Sequence, residues 1–163
     1  MSPADEGSAD SANQKTFNHL HLVTNELNTP KILECPGDVA KSLVSDWATA
    51  LADNIHISYF VGYEADETKP QTMLSGDSNI AGANNTQTCG TLGAFWTTAG
   101  ISGSAMGAQI DPASTWTSAV HNNGGDLGLG DGSVQQVTTR GLQKQALDSD
   151  PNNQNNHARL PND

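Results

Sequence analysis

The residues best placed for chemistry lie between His121 and Val137. His121 is followed by nine residues and then Asp131-Gly132, with Asp126 between them in a run of glycines. Short acidic side chains beside accessible backbone carbonyls are the donors calcium prefers, so Asp126 and Asp131 form a candidate calcium site, the one cofactor suggested here. The spacing is not that of an EF-hand, because no Asp-x-Asp-x-Asp-Gly series with a distal glutamate occurs. Asp131 and Gly132 also have a plainer role, as the two central residues of a tight hairpin turn. His121 is expected to orient that turn, by a hydrogen bond into the hairpin or to Asp131, since no second histidine lies at ligand spacing. His19 and His21 are two apart, face different sides of a helix, and read as surface residues. Glu64, Asp66, Glu67 and Asp77 read as a solvated acidic turn, with a weak cation site as the alternative. Nucleophilic chemistry finds no footing: no Gly-x-Ser-x-Gly elbow surrounds Ser58 or Ser133, and no Gly-Lys-Ser/Thr follows Gly124-Gly125. No catalytic residue is assigned, and the chain reads as a non-enzyme.

The elements that must carry these residues follow from periodicity and punctuation. Asp-Gly between two runs of strand-like residues predicts a hairpin of 126–130 against 133–137, closed by a type I′ turn with a bulge near Gly130. Apolar residues at Phe17, Leu20, Val23 and Leu27 predict an amphipathic helix over about 12–27, ended by Asn28-Thr29-Pro30. Lys31–Cys35 reads as a short strand. Asp38 is expected to cap a second helix with the stripe Val39, Leu43, Trp47 and Leu51. Residues 55–63 carry the richest β-branched and aromatic run, and 71–77 its returning strand. Short strands are expected across 78–118, with Trp96 or Trp116 in the core. Residues 139–147 suggest a short helix. The division is a flexible lead over 1–12, one globular domain over 13–147, and a flexible tail over 148–163.

Composition bounds the class. The 163 residues carry a net charge of −11, with 35% hydrophobic and 5% aromatic residues. So acidic a chain repels phosphate backbones and anionic lipid, which excludes a basic nucleic-acid interface and reads as solubility in an extracytoplasmic setting. The low apolar fraction suits a loop-rich α+β domain with a modest core. Cys35 and Cys89 admit two readings: a disulfide, worth about 4 kcal/mol across so long a loop, or two buried thiols.

The spacing His121-x9-Asp131-Gly132 resembles the C-terminal signature of bacterial prepilin-like proteins, the pseudopilin relatives of type II secretion and type IV pili. Further stretches match a verrucomicrobial subgroup in order: Thr24–Leu27, Thr29–Leu33, Cys35-Pro36-Gly37-Asp38, Asn54-Ile55, Ser58–Gly62, Ala65–Thr68, Pro70-Gln71, Leu74, Gly76-Asp77, Asn79-Ile80, Trp116-Thr117 and Gly132–Val137. The similarity spans about residues 17–147. It implies a pilin-like head, an N-terminal helix packed on a small antiparallel sheet. The implied function is structural: a filament subunit whose partners are other pilin or pseudopilin subunits and secretion components. Some pseudopilins carry calcium in a C-terminal loop, which adds to the case for Asp126 and Asp131. The long apolar helix that opens such proteins is missing from these residues, since residues 1–7 are polar. Membrane contact is therefore expected only through that absent helix, giving an inner-membrane-anchored protein outside the cytoplasm. A different class stays open: an exported carbohydrate- or ligand-binding module using Trp96, Trp116 and the acidic loops.

Overall fold

The computed structural model describes residues 16–82, 108–151 and 156–161. The fold mixes short helices with a sheet of six antiparallel-paired strands in the order β4-β8-β1-β2-β6-β7. Its strands are β1 (Tyr59–Gly62), β2 (Met73–Asp77), β4 (Ala108–Gln109), β6 (Gly124–Leu129), β7 (Val134–Thr138) and β8 (His157–Arg159). A separate two-stranded sheet pairs β3 (Ile80–Ala81) with β5 (Thr115–Trp116).

The expected central hairpin forms in shortened form, since Asn54–His56 is a 3₁₀ turn rather than strand: β1 pairs with β2, Tyr59 opposite Asp77 and Val61 opposite Ser75. Ser75 steadies the pair by donating its hydroxyl to the Phe60 carbonyl at 2.8 Å. The C-terminal hairpin also forms, with Gly125 opposite Val137 and Gly128 opposite Val134. Strand β6 alternates half-buried and buried positions, so Leu127 and Leu129 enter the core at 1% exposure each. Its closure corrects the type I′ expectation. Gly132 has φ +81, while Asp131 does not enter the left-handed region. The Gly132 N–H donates to the Leu129 carbonyl and the Leu129 N–H to Ser133. This is a three-residue loop with glycine in the bulge position, which needs one left-handed residue rather than two.

One core lies between the sheet and helix α3 (Thr139–Ser149), the element expected over 139–147. It gathers Phe60, Met73, Ile80, Ile110, Trp116, Leu127, Leu129, Leu142, Ala146, Ala158 and Leu160. Trp116 is buried, as expected of it; Trp96 and Cys89 lie outside the described residues. A second cluster, Leu33, Ala50, Leu51 and Ile57, is flanked by Phe17, Leu20, Leu27, Val44 and Trp47. The apolar spacing of the N-terminal segment thus finds its partners, although regular helix is short. Helix α1 runs Thr16–Leu20 and tightens into a 3₁₀ turn over His21–Val23. Thr24 then returns its hydroxyl to the His21 carbonyl and the chain turns away. His19 is half-buried against the Tyr63 ring rather than on the surface.

Three further expectations are corrected. Residues 30–33 form a 3₁₀ turn, not a strand, started by Pro30 with the Thr29 hydroxyl as cap. Asp38 caps no long helix: its carboxylate accepts from Ala40 N–H, and Val39 is 93% exposed. Lys41 holds that segment in a loop by donating to the Asn54 and Pro161 carbonyls. Helix α2 (Trp47–Ala50) begins only at Asp46, whose side chain accepts from Thr49 N–H at 2.8 Å. Finally, the expected tail supplies β8, buried along its length between β4 and β1. Glu64 clamps it, accepting from the His157 N–H at 2.7 Å and meeting the His157 ring. Asn156 adds a bond from its amide to the Ala146 carbonyl.

Two outcomes follow. A Cβ on Gly125 would sit 2.7 Å from the Trp116 ring. Gly125→Ala is therefore expected to cost about 1–3 kcal/mol in urea unfolding, and distinctly less in a Trp116→Leu background. The second concerns His19, whose pKa is lowered from 6.5 by burial and then by the Arg159 charge. The unfolded chain takes up that proton first, so stability is full above this pH and declines as pH falls below it. The melting temperature should drop between pH 7.5 and pH 5.5 on the order of degrees, and His19→Gln should remove part of the drop.

Candidate functional site

Three segments distant in sequence meet at the end of β2. The first is the turn Cys35-Pro36-Gly37-Asp38, closed by Asp38 N–H on the Cys35 carbonyl at 2.9 Å, with proline at the second turn position. It is docked on the strand entry, because the Cys35 N–H donates to the Ser58 hydroxyl at 3.0 Å. The second is Asp77, the last residue of β2, whose Oδ2 accepts from the Asp126 N–H of β6 at 2.7 Å. The third is the loop entering β6, where His121, Asn122 and Asn123 all have left-handed backbones, at φ 50, 55 and 66. Three consecutive non-glycine residues in that region cost about 1–2 kcal/mol apiece, although asparagine tolerates it better than most.

Asn79 keeps this loop in place. Its amide faces the carbonyls of Thr117, Val120 and Gly124 at 3.0, 2.8 and 3.2 Å. The Thr117 N–H donates back to the Asn79 carbonyl at 2.7 Å. The result aims the His121 ring inward. Its Nε2 lies 3.3 Å from Cys35 Sγ and 3.5 Å from Asp77 Oδ2. The three donor atoms all lie within 4.8 Å of one another. Cys35 is buried, Asp77 is 2% exposed, and the His121 side chain remains 30% exposed. Gly37 lies over the group, where a Cβ would meet Cys35 Sγ and His121 Cε1 at 3.7 Å each.

Burial pushes the Asp77 carboxyl above its ordinary range, against the Asp126 N–H bond and His121, which favour its charge. Tyr59, opposite Asp77 in β1, is pushed up to about 12, first by burial and then by Cys35, Asp77 and Asp126. Cys35 and Asp77 are thus buried, while His121 keeps one side of the cluster toward solvent.

This placement revises the sequence reading. The expectation that His121 orients the hairpin turn is corrected: its ring meets Cys35 and Asp77 at the opposite end of β6 from Asp131. Asp131 is exposed at the far end of the hairpin, where its carboxylate accepts from the Ser133 N–H at 2.9 Å and is held below the usual range by the Ser133 hydroxyl and then by that N–H. Asp126 sits mid-strand opposite Gln136, so about 16 Å of chain separates it from Asp131 and the two do not converge. The acidic group disperses too. Glu64 is engaged with His157 and Asp66 with Thr68, beyond the far end of the β1–β2 pair from Asp77. Cys35 is a free thiol. Trp116, 3% exposed, offers no face to a sugar.

Chemically, two features matter. Cys35 and Asp77 approach the same ring nitrogen, whereas a cysteine–histidine–carboxylate relay needs the carboxylate on the opposite one. Convergence on one point is the arrangement of ligands, and Cys35, Asp77 and His121 are the described residues able to hold a metal ion. The chain matches no protein-family model, no curated protein and no solved structure.

The left-handed loop sets one expectation. Asn123→Ala should lower stability by about 1 kcal/mol in urea unfolding, because alanine tolerates φ 66 less well than asparagine. Asn123→Gly should be neutral or slightly stabilising.

Proposed function

We propose that this chain is the globular head of a pilin- or pseudopilin-like subunit, built into a type II secretion or type IV pilus-like filament by protein contacts. The observation that carries the reading is the folding of the His121-x9-Asp131-Gly132 stretch. Its strands become β6 and β7 of an antiparallel sheet, downstream of a helix that packs toward β1. What supports the reading is the sheet, with the signature hairpin beside the central strands. The function asks for contact surfaces rather than a cleft, and the first third of the chain supplies them. Leu22, Val23, Ile32, Val39, Leu43 and Ile55 are large apolar side chains exposed between residues 22 and 55. Exposed apolar side chains are the material of protein contacts. Partners would be other subunits of the same filament, outside the cytoplasm, with anchoring through a leading apolar helix.

The test uses the gene product in its native cells. Val39→Arg with Leu43→Arg touches only exposed side chains, so it should leave melting of the purified chain within about 0.5 kcal/mol. It should remove the protein from the sheared filament or secretion-complex fraction. A wild-type protein absent from any such fraction, or one that assembles equally well with both arginines, would overturn the reading.

A further inference from the structure

The geometry points to a divalent transition-metal site of the zinc class formed by Cys35, Asp77 and His121. The donor set comes first. A thiolate, an imidazole and a carboxylate suit zinc, whereas calcium demands six to eight oxygens. The two distances measured from the His121 ring agree. With Zn–N and Zn–O near 2.0 Å and Zn–S near 2.3 Å, tetrahedral edges are about 3.3 Å for N···O and about 3.5 Å for N···S. The observed separations from Nε2 are 3.5 Å to Asp77 and 3.3 Å to Cys35.

Charge gives a second, independent argument. Asp77 is 2% exposed, and its Oδ2 meets only the Asp126 N–H and the His121 ring among the described residues. A buried carboxylate is costly unless hydrogen bonds or a cation compensate it. A divalent ion with one thiolate, one carboxylate and a neutral imidazole leaves the centre neutral. Binding displaces the Cys35 thiol proton to solvent, and no redox change is involved.

The third argument is positional. Cys35, Asp77 and His121 lie far apart in the chain, on a turn, a strand end and a loop. Here they meet at one point, and the loop that brings His121 inward does so with three left-handed residues. An ion at this point would tie the 35–38 turn, the end of β2 and the entry to β6 together. The partial exposure of His121 leaves a side open for water as a fourth ligand. This inference does not depend on the filament reading, because it concerns the isolated chain.

The experiment takes the full chain, strips it with a chelator under reducing conditions, and titrates it with Co²⁺ as the spectroscopic probe. The expected result is one ion per chain with a thiolate-to-cobalt charge-transfer band. That band should be lost in Cys35→Ser, kept in Cys89→Ser, and formed with at least about tenfold weaker affinity in His121→Gln and Asp77→Asn. Added Zn²⁺ should raise the melting temperature of the wild type by several degrees and of Cys35→Ser by none. Should Cys35→Ser not fold, zinc-edge absorption on the wild type decides, with one sulfur near 2.3 Å and nitrogen or oxygen near 2.0 Å. No thiolate band at equimolar cobalt, a band that survives Cys35→Ser, or an all-nitrogen-and-oxygen shell would overturn the proposal.

Discussion

The pairing of β2 with β6 is the interaction on which the rest of this molecule depends. It joins two hairpins made far apart in the chain, β1–β2 and β6–β7, into one sheet, with Gly76 opposite Leu127. The register shifts between Met73 and Ser75, a local irregularity that bends the strand. Beyond the last ladder pair, the Asp126 N–H bonds to the Asp77 side chain instead of to a backbone carbonyl. That exchange puts a carboxylate where a strand end would otherwise present solvent-facing backbone. It also sets the depth at which the following loop must bring His121. A change that slipped β6 by one residue would turn Leu127 and Leu129 outward and move Asp126 N–H away from Asp77 together. Core and candidate site therefore share one register.

What could be read from the sequence was what local chemistry decides. Strands β1, β2, β6 and β7 and helix α3 were legible because each carries its own period and its own punctuation, such as the glycine that accepts φ +81 at 132. The failures share a cause. Residues 157–159 look like tail because Asn- and Pro-rich neighbours surround them, yet Glu64, distant in sequence, fixes them in the sheet. The stripe Val39, Leu43, Trp47 and Leu51 looked helical, but Lys41 finds carbonyls on Asn54 and Pro161 that hold 38–46 open. Tertiary hydrogen bonds outbid a modest propensity in both places.

The site was half legible for the same reason. His121 stood out by its spacing to Asp131-Gly132. Its true partners do not, because Cys35 is 86 residues away and Asp77 reads with an acidic turn that lies at the other end of the β1–β2 pair. Ligand spacing along one element finds only sites built on one element. A better signal was available in the punctuation: a cysteine fixed in a proline turn, an aspartate ending a strand, and a histidine before two asparagines. Each is a residue whose backbone is unusually constrained, and constrained backbones are where side chains can be aimed.

Stability alone gives a poor account of that aim. Three left-handed residues cost energy, and a carboxylate at 2% exposure beside two others costs more. Asn79 compensates part of it by tying the loop to the sheet through three carbonyls, but those bonds serve the loop and leave Asp77 as negative as before. An apolar residue at 77 with an ordinary turn at 121–123 would build the same sheet with less strain. Strain concentrated on one cluster of donors, in a domain whose core is otherwise packed by apolar residues, is the pattern of a site held ready for something bound. A cation answers both costs at once, since it neutralises the carboxylate and rewards the inward turn of the histidine. Such a clamp would stiffen the base of the β6–β7 hairpin and hold its far end in a fixed position.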